Sequence, residues 1–174
     1  MTGQSDFGRL RALVAEDNEH MRILLRALLN AVGIRRIKEC ADGADALAAL
    51  SLFEPEFVIT DLSMARMDGI EFTRAVRALP KPSLNTVPII MVTGHTERAR
   101  IEAARDAGVT ELLVKPVSAQ ALFARIEEIV LRPRPFVRAG GYYGPDRRRH
   151  AKPNYAGPWR RATDAQNAPD AVLV

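Results

Sequence analysis

The sequence predicts an α/β fold: a doubly wound sheet of five parallel strands with helices on both faces. Two observations predict it. Short apolar runs alternate five times with longer runs of helical periodicity between residues 11 and 131. Several apolar runs are nearly continuous and end abruptly in a polar residue, which is typical of parallel strands buried on both faces. Hydrophobic residues make up 47% of the 174, enough for a substantial core.

The first strand is predicted over residues 11–15, directly before two acidic residues. Asn18 can cap the helix that follows, and Gly33 is placed to end it. Apolar side chains recur in this helix at helical spacing: Met21, Leu24, Leu25, Leu28 and Val32. Residues 34–40 alternate roughly between apolar and polar, which predicts the second strand.

Asp42 is predicted to cap an alanine-rich second helix and to do nothing more. Pro55 separates that helix from the third strand, in which four residues of β-favouring character run into Asp61. A third helix is predicted over residues 69–79, and the segment 80–82, Pro-Lys-Pro, should stop it.

The remaining two units repeat the pattern. Residues 87–92 form a nearly continuous apolar strand, followed by a helix over residues 96–107 with a thin apolar face, which Gly108 closes. Residues 109–114 predict the fifth strand. Ser118 can cap the last helix, whose apolar positions share one face: Leu122, Ile126, Ile129 and Val130.

Four of the five strands end in residues able to act together. Glu16 and Asp17 follow the first strand, Asp61 ends the third, and Thr93 and Lys115 follow the fourth and fifth. The carboxyl ends of parallel strands gather at one edge of a sheet, where ligands bind. Three carboxylates held together repel unless a cation joins them, and oxygen ligands of this number suit Mg²⁺. The hydroxyl and the ammonium group complete a pocket for a phosphoryl group transferred onto a carboxylate.

These motifs, in this order, resemble the receiver domain of two-component response regulators, in particular the stand-alone, chemotaxis-regulator-like kind. The resemblance covers about residues 10–131. The matching segments are Val14-Ala15-Glu16-Asp17-Asn18, Asp61-Leu62-Ser63-Met64-Ala65-Arg66-Met67-Asp68-Gly69, Val92-Thr93-Gly94 and Val114-Lys115-Pro116. It implies a flavodoxin-like sheet with strand order 2-1-3-4-5, for which the chemotaxis regulator is the standard example.

The resemblance also implies a metal site and a phosphoryl acceptor. Asp61 would accept a phosphoryl group from a histidine kinase or a phosphotransfer protein. Asp17 and Asp61 would bind Mg²⁺, with Glu16 acting mostly through water and the backbone carbonyl of Ser63 as a further ligand.

Two more roles follow from the resemblance. Lys115 would pair with the phosphoryl oxygens, and Thr93 would move in to hydrogen-bond them. The bond between Lys115 and Pro116 would be cis, which X-Pro bonds reach at small cost.

The sequence departs from the family pattern in three places. Leu112 occupies a position that is usually aromatic, so the usual coupling of threonine to an aromatic side chain cannot operate there. Ala65 stands where proline is common, which should loosen the loop. Ser63 and His95 occupy positions that influence how fast water removes the phosphoryl group.

Other chemistries are disfavoured. Phosphatases of the haloacid-dehalogenase type carry a second aspartate two residues after the nucleophile, where this chain has Ser63. Glycine-rich nucleotide-binding loops are absent from the sequence. We therefore expect a switch with at most slow self-dephosphorylation, rather than an enzyme.

Three features favour a cytoplasmic protein. The single Cys40 cannot form an internal disulfide and is expected to be a buried, inert thiol. Residues 1–11 are polar and lack the apolar core of a signal peptide. The sequence has no run of eighteen apolar residues that could span a membrane.

Charge divides the chain in two. Residues 1–131 carry 16 Lys and Arg against 18 Asp and Glu, whereas residues 132–174 carry 9 against 3. We expect an acidic receiver over residues 1–131 and a basic, proline-rich, extended arm over residues 132–174. The arm repeats a pattern, Tyr-x-Gly-Pro-x-Arg-Arg, at residues 142–148 and 155–161.

Several functions are open for the arm. Its five aromatic residues favour packing on a receiver surface, most simply that of a second subunit in an exchanged homodimer. Its arginines and aromatic side chains also suit nucleic-acid binding, which is the second choice. Docking on a separate protein partner is a third possibility, and plain disorder is a fourth.

Overall fold

Five parallel strands form the central sheet of the computed structural model, which describes residues 7–94 and 97–147. The spatial order of the strands is β2-β1-β3-β4-β5, as predicted. Their bounds are β1 Arg11–Ala15, β2 Arg36–Cys40, β3 Phe57–Asp61, β4 Ile89–Thr93 and β5 Glu111–Val114. Every neighbouring pair in this sheet runs parallel.

Helices cover both faces of the sheet. They are α1 Glu19–Ala31, α2 Gly43–Phe53, α3 Gly69–Arg77, α4 Pro82–Asn85, α5 Arg98–Ala107 and α6 Ala119–Leu131. Leucines and isoleucines of α1 and α6 pack on one face, where Leu25 and Ile126 are fully buried. On the other face, Leu50 of α2 and Phe72 of α3 pack against β1 and β3, while α5 packs through Ala104. The sheet is therefore buried on both sides, which explains its continuous apolar strands.

The predicted caps are present. The side chains of Asn18, Asp42 and Ser118 accept hydrogen bonds from the backbone N–H groups of Met21, Asp45 and Ala121. Gly108 closes α5 in the left-handed conformation, with φ 98°. A further cap was not predicted: Asp68 and Glu71 form a reciprocal capping box at the start of α3.

The element bounds differ from the prediction in a few places. The fourth and fifth strands each begin two residues later than predicted, and α5 begins at Arg98. The prolines at residues 80–82 do stop the preceding helix, but Pro82 then starts the short helix α4. Proline is favoured in the first turn of a helix because its missing N–H has no intrahelical partner there, so the same short segment ends α3 and begins α4.

The described part of the arm forms a hairpin, which was not predicted. Strands β6 Phe136–Ala139 and β7 Tyr142–Pro145 pair antiparallel, and the turn is made by Gly140 and Gly141, both with positive φ. A glycine pair between two apolar or aromatic runs is a recognised hairpin signal. The second copy of the repeat, at residues 155–161, lies outside the described residues.

The hairpin rests on the receiver of its own chain. Tyr143 donates its hydroxyl hydrogen bond to Asn85 Oδ1 at 2.9 Å, and Arg147 pairs with Asp106 at 2.7 Å. A Cβ added to Gly108 would meet the carbonyl oxygen of Tyr143 at 2.9 Å, so the hairpin approaches α5 closely. These contacts lie near the amino ends of β4 and β5, at the edge of the sheet opposite Asp61.

No helix within residues 7–94 and 97–147 has the length and apolar character needed to cross a membrane.

Candidate functional site at the carboxyl edge of the sheet

Three carboxylates and one ammonium group meet where β1, β3 and β5 end. Oxygen atoms of Glu16, Asp17 and Asp61 all lie within 4.8 Å of one another. The Nζ atom of Lys115 lies 2.7 Å from Asp61 Oδ1 and 3.4 Å from Glu16 Oε2. The parallel topology thus brings together residues as far as 99 positions apart in the sequence, as predicted.

Burial and mutual repulsion shape the electrostatics of this cluster. Glu16 is only 1% exposed. Burial, and then the nearby charge of Asp61, raise the pKa of Glu16, against the opposing effect of Lys115. Burial would lower the pKa of Lys115, but its hydrogen bond to Asp61 and the two carboxylate charges outweigh that and raise it. Lys115 thus pairs with two of the three carboxylates, and the cluster carries excess negative charge.

The donor set fits a hard divalent cation. All three side chains offer carboxylate oxygens, and no nitrogen or sulfur ligand joins them in the described group. Oxygen ligands of this kind, with room left for water, suit Mg²⁺. A divalent ion would also relieve the repulsion that raises the pKa of Glu16.

The loop between β3 and α3, residues 62–68, holds two of the carboxylates through its backbone. The N–H of Ser63 donates to Asp61 Oδ2 at 2.9 Å, and the N–H of Ala65 donates to Asp17 Oδ2 at 3.3 Å. Gly69 closes the loop against the strand, because a Cβ there would lie 2.2 Å from the carbonyl oxygen of Asp61. Only glycine allows this approach.

Thr93 lies at the carboxyl end of β4, next to the strand of Asp61, and is buried. Its carbonyl oxygen accepts the backbone N–H of Lys115 at 2.8 Å, so β4 also fixes the backbone of the lysine. Leu112, in place of the usual aromatic residue, is half-buried on β5 and pairs in register with Met91.

The rim of the site contains one arginine that was not predicted. Arg100, in the first turn of α5, donates to Ser63 Oγ at 3.4 Å. Ser63 is exposed, so the contact lies in water and is weak. His95 lies outside the described residues.

Most of the predicted side chains do converge. Glu16, Asp17, Asp61 and Lys115 form one cluster, and Thr93 ends the adjacent strand. The bond between Lys115 and Pro116 is cis, as the resemblance implies. Coordination by the carbonyl of Ser63 stays a prediction.

One prediction was wrong: Asp42 does more than cap α2. Its Oδ2 atom also pairs with Nη1 of Arg66 at 2.7 Å, which ties the β2–α2 turn to the loop beside Asp61. No local signal could have revealed this pair, because the partners are 24 residues apart and a loop arginine is normally a free surface cation.

Comparisons with known proteins agree with this geometry. The family model described as "Response regulator receiver domain" matches residues 12–127. The chemotaxis protein CheY of Pseudomonas aeruginosa is 37% identical over 123 residues, which are 71% of this chain and 98% of that protein. The transcriptional regulatory protein PdtaR of Mycobacterium tuberculosis is 36% identical over 122 residues, 70% of this chain but only 57% of PdtaR.

Solved structures resemble the receiver part of the chain. The chemotaxis protein CheY4 of Vibrio cholerae has a TM-score of 0.65 and 27% identity, and the match covers 70% of this chain and 98% of CheY4. The receiver domain of the sensor histidine kinase PA1611 from P. aeruginosa has a TM-score of 0.63 and 26% identity, over 68% of this chain and 95% of that one. The latter structure has a magnesium ion coordinated in the active site cleft.

Proposed function

The chain belongs to the response regulator receiver domain family, and from this premise we propose that it is a single-domain response regulator whose Asp61 accepts a phosphoryl group. The donor would be the phosphohistidine of a histidine kinase or of a phosphotransfer protein. The observation that carries the proposal is the 2.7 Å contact of Lys115 with Asp61, inside a cluster of three carboxylates. The domain boundary is part of the same proposal: the receiver comprises residues 1–131 and the arm comprises residues 132–174.

The proposed reaction is an in-line transfer. A carboxylate oxygen of Asp61 attacks the phosphorus atom, the bond from phosphorus to the imidazole nitrogen breaks, and an acyl phosphate remains on Asp61. Lys115 already lies beside Asp61 Oδ1 and would stabilise negative charge on the phosphoryl oxygens. The hydroxyl of Thr93, at the end of the adjacent strand, would hydrogen-bond the transferred group and carry the signal to α5.

Mg²⁺ completes the proposed site. Asp17 and Asp61 would hold it, with Glu16 nearby and the carbonyl of Ser63 as a further ligand. When bound, the ion neutralises charge that the carboxylates and the phosphoryl oxygens would otherwise concentrate in one place. The magnesium ion in the PA1611 receiver supports this assignment.

The test is labelling by a small phosphodonor such as phosphoramidate in the presence of Mg²⁺. The wild-type chain should acquire one phosphoryl group, and the Asp61→Asn variant should acquire none. Asp106→Asn is the matched control, because it removes an aspartate at the opposite edge of the sheet and should label normally. Undiminished labelling of Asp61→Asn would remove the site assignment.

The proposed molecule is a switch rather than a catalyst with a substrate of its own. Its only turnover would be slow attack of water on the acyl phosphate. A cytoplasmic location belongs to the same proposal, and the buried free thiol of Cys40 suits a reducing compartment. Burial raises the pKa of that thiol, which keeps it protonated and inert.

Dimerisation through the arm is the second part of the proposal. The contact of the hairpin with its own receiver is specific, because the residues on either side of the hairpin form ion pairs: Arg134 with Glu111 and Arg147 with Asp106. The same contacts can form between two chains if the hairpins are exchanged. A chain cut after Leu131 should then be smaller than a dimer by solution scattering, whereas an unchanged oligomeric state would reject dimerisation through residues 132–174.

Nucleic-acid binding is weaker for the described part of the arm. Arg134 and Arg147 already pair with carboxylates of the receiver, so part of their charge is compensated within the chain. The arginines of the two Tyr-x-Gly-Pro-x-Arg-Arg segments are the candidates for this role, and apart from Arg147 they lie outside the described residues: Arg148, Arg149, Arg160 and Arg161. Affinity for a single-stranded RNA or DNA oligonucleotide that falls steeply with rising salt would support nucleic-acid binding, and no detectable binding at low salt would reject it. This experiment does not test docking to a separate protein partner.

A further inference from the structure

The loop of residues 62–68 determines the shape of the proposed metal site. Its backbone N–H groups at Ser63 and Ala65 bind one oxygen each of Asp61 and Asp17. Two of the three carboxylates are therefore oriented by this loop, and any change in its path would move their oxygens. Ala65 stands where proline is common in the family, so no proline ring fixes the backbone φ at this position of the loop.

Arg66 holds the loop in a conformation that a side chain disfavours. Its φ is 65°, in the left-handed region, where a non-glycine residue is strained. Such strain persists only when surrounding contacts enforce it. The enforcing contacts must therefore be found at Arg66 itself or at its neighbours.

Two contacts at Arg66 hold it there: a backbone turn, in which the N–H of Met67 donates to the carbonyl oxygen of Ala65 at 2.8 Å, and the ion pair of the Arg66 side chain with Asp42. Nη1 of Arg66 lies 2.7 Å from Asp42 Oδ2 and 3.6 Å from Asp45 Oδ1. The side chain of Asp42 is only 8% exposed, whereas those of Asp45 and Arg66 are 55% and 65% exposed. The backbone N–H of Asp45 and, against the effect of burial, the charge of Arg66 hold the pKa of Asp42 below its usual value.

A backbone hydrogen bond also joins the β2–α2 turn to the loop. The N–H of Gly43, next to Asp42, donates to the carbonyl oxygen of Met67 at 3.3 Å. A Cβ added to Gly43 would lie 2.8 Å from that oxygen. The β2–α2 turn and the loop therefore meet at a close backbone contact, and Arg66 spans the same gap.

We propose that Asp42 and Arg66 are positioning residues for the metal site, and that their ion pair sets the loop so that Asp17 and Asp61 present their oxygens to a divalent cation. The inference rests on the proposed function. Neither residue belongs to the carboxylate cluster, and both would act through the N–H groups of Ser63 and Ala65.

The positioning role and simple electrostatics predict opposite changes in Mg²⁺ affinity for one variant. Removing the cation of Arg66 should tighten Mg²⁺ binding if charge alone matters, because a positive charge near the site is lost. It should weaken binding if the loop loses its shape. Removing the anion of Asp42 weakens binding in both cases, so Arg66→Ala is the decisive variant.

Calorimetric titration of the full chain with MgCl₂ measures this directly. Arg66→Ala and Asp42→Asn should each bind Mg²⁺ about tenfold more weakly than wild type, the usual scale for residues that orient metal ligands. Asparagine keeps the cap on α2, but its NH₂ group replaces the oxygen that accepts from Arg66. The double variant should bind no more weakly than either single variant, because both remove one interaction.

Asp45→Asn is the matched control. It removes an aspartate charge near Arg66, but from an exposed side chain at the longer distance, and should change Mg²⁺ affinity less than about twofold. Arg66→Lys should recover part of the lost affinity. Wild-type or tighter Mg²⁺ binding by Arg66→Ala would overturn the inference. Thermal unfolding of each variant shows that the loss belongs to a folded protein.

Failure of the inference is distinguishable from failure of the proposed function. If the wild-type chain binds Mg²⁺ and is phosphorylated on Asp61, but Arg66→Ala binds Mg²⁺ as wild type does, only the positioning role is wrong. If the wild-type chain neither binds Mg²⁺ nor accepts a phosphoryl group, the proposed function is wrong as well.

Discussion

Buried charge is balanced differently at the two ends of the parallel strands, which form the carboxyl edge and the amino edge of the sheet. At the carboxyl edge, Lys115 pairs with two carboxylates of a cluster of three, so negative charge is left in excess. At the amino edge, the buried charges are compensated within the chain by the hairpin and its neighbours. Uncompensated charge is costly in a fold, so the contrast indicates that the carboxyl edge is built to receive a ligand and the amino edge is built for stability.

Arg77 illustrates the compensated edge. It is 7% exposed and donates to the carbonyl oxygens of Asn85 and Val87, each at 2.8 Å, and of Gly108, at 2.9 and 3.1 Å. The ring of Phe136, from the hairpin, covers its guanidinium at 4.8 Å. Burial lowers the pKa of Arg77 to about 10, so it stays charged at neutral pH.

Glu111 is the anionic counterpart at the same edge. It is 2% exposed, and its two oxygens pair with Arg134 at 2.9 Å and with Arg125 at 3.5 Å. Arg134 also donates to the carbonyl oxygen of Thr110. The hairpin and the segment leading into it thus contribute both an aromatic cover for a cation and a cation for a buried carboxylate.

The largest expected effect is at the carboxyl edge. Lys115→Met should slow labelling of Asp61 by a small phosphodonor about a thousandfold, since a single donor aimed at developing charge is worth about 4 kcal/mol. The same variant should bind Mg²⁺ at least as tightly as wild type, because the ammonium group beside the carboxylates is gone. Labelling rates and calorimetry measure the two effects. A wild-type labelling rate would contradict the claim that the carboxyl edge, through Lys115, serves phosphoryl transfer and the amino edge serves stability.

The next effect is at the amino edge. Glu111→Gln should lower the free energy of unfolding by about 3 kcal/mol, because it leaves two arginines without their buried carboxylate. Its labelling rate should stay close to wild type. Glu128→Gln is the control, since Glu128 pairs with the exposed Arg132 and should cost under about 1 kcal/mol. Urea unfolding measures both, and equal losses would contradict the assignment of Glu111 to the stabilising edge.

A smaller effect tests the close approach of the hairpin to α5. Gly108→Ala should cost about 2 kcal/mol, because a Cβ at φ 98° is strained and would contact the carbonyl oxygen of Tyr143 and the side chain of Arg77. Gly33→Ala is the matched control: its φ is 96°, but a Cβ there would meet no atom within 4 Å. Thermal unfolding of the two variants separates backbone strain from the contacts with Tyr143 and Arg77, and an equal loss in both would mean that these contacts contribute little.

The smallest effect concerns the metal. Mg²⁺ at about ten times its dissociation constant should stabilise the wild-type chain by about 1.4 kcal/mol, through binding to the folded state alone. Chelation of the ion should reverse the gain, and Asp17→Asn should abolish it. Glu111→Gln should retain it in full, since it lies at the other edge. Urea unfolding with and without Mg²⁺ is the measurement, and a gain that survives in Asp17→Asn would contradict the cluster as the binding site.

The carboxyl edge was predictable because its signals are local. Each of its strands is an apolar run that ends in a chemically distinct residue, so the sequence alone was enough to place Asp61, Thr93 and Lys115 at strand ends. Parallel topology then required those ends to meet. The strand order came from the resemblance to a family rather than from the apolar pattern.

The amino edge was less predictable, because its contacts depend on the path of the chain. Arg77 ends an amphipathic helix and would pass for a surface arginine, yet loops and the hairpin bury it. The pair of Arg66 with Asp42, near the other edge, likewise joins two loops and has no periodicity. The hairpin itself did leave a signal, the glycine pair at residues 140 and 141, which the basic, proline-rich composition of the arm obscured.

One measurement tests the central claim most directly. The chain is labelled with phosphoramidate and Mg²⁺, the acyl phosphate is reduced with borohydride, and the modified peptide is identified by mass spectrometry. The account predicts homoserine at position 61 in the labelled sample, and none when Mg²⁺ is removed. Modification of another residue, or equal labelling without Mg²⁺, would contradict the claim that the charge excess at the carboxyl edge forms a phosphoryl-accepting site.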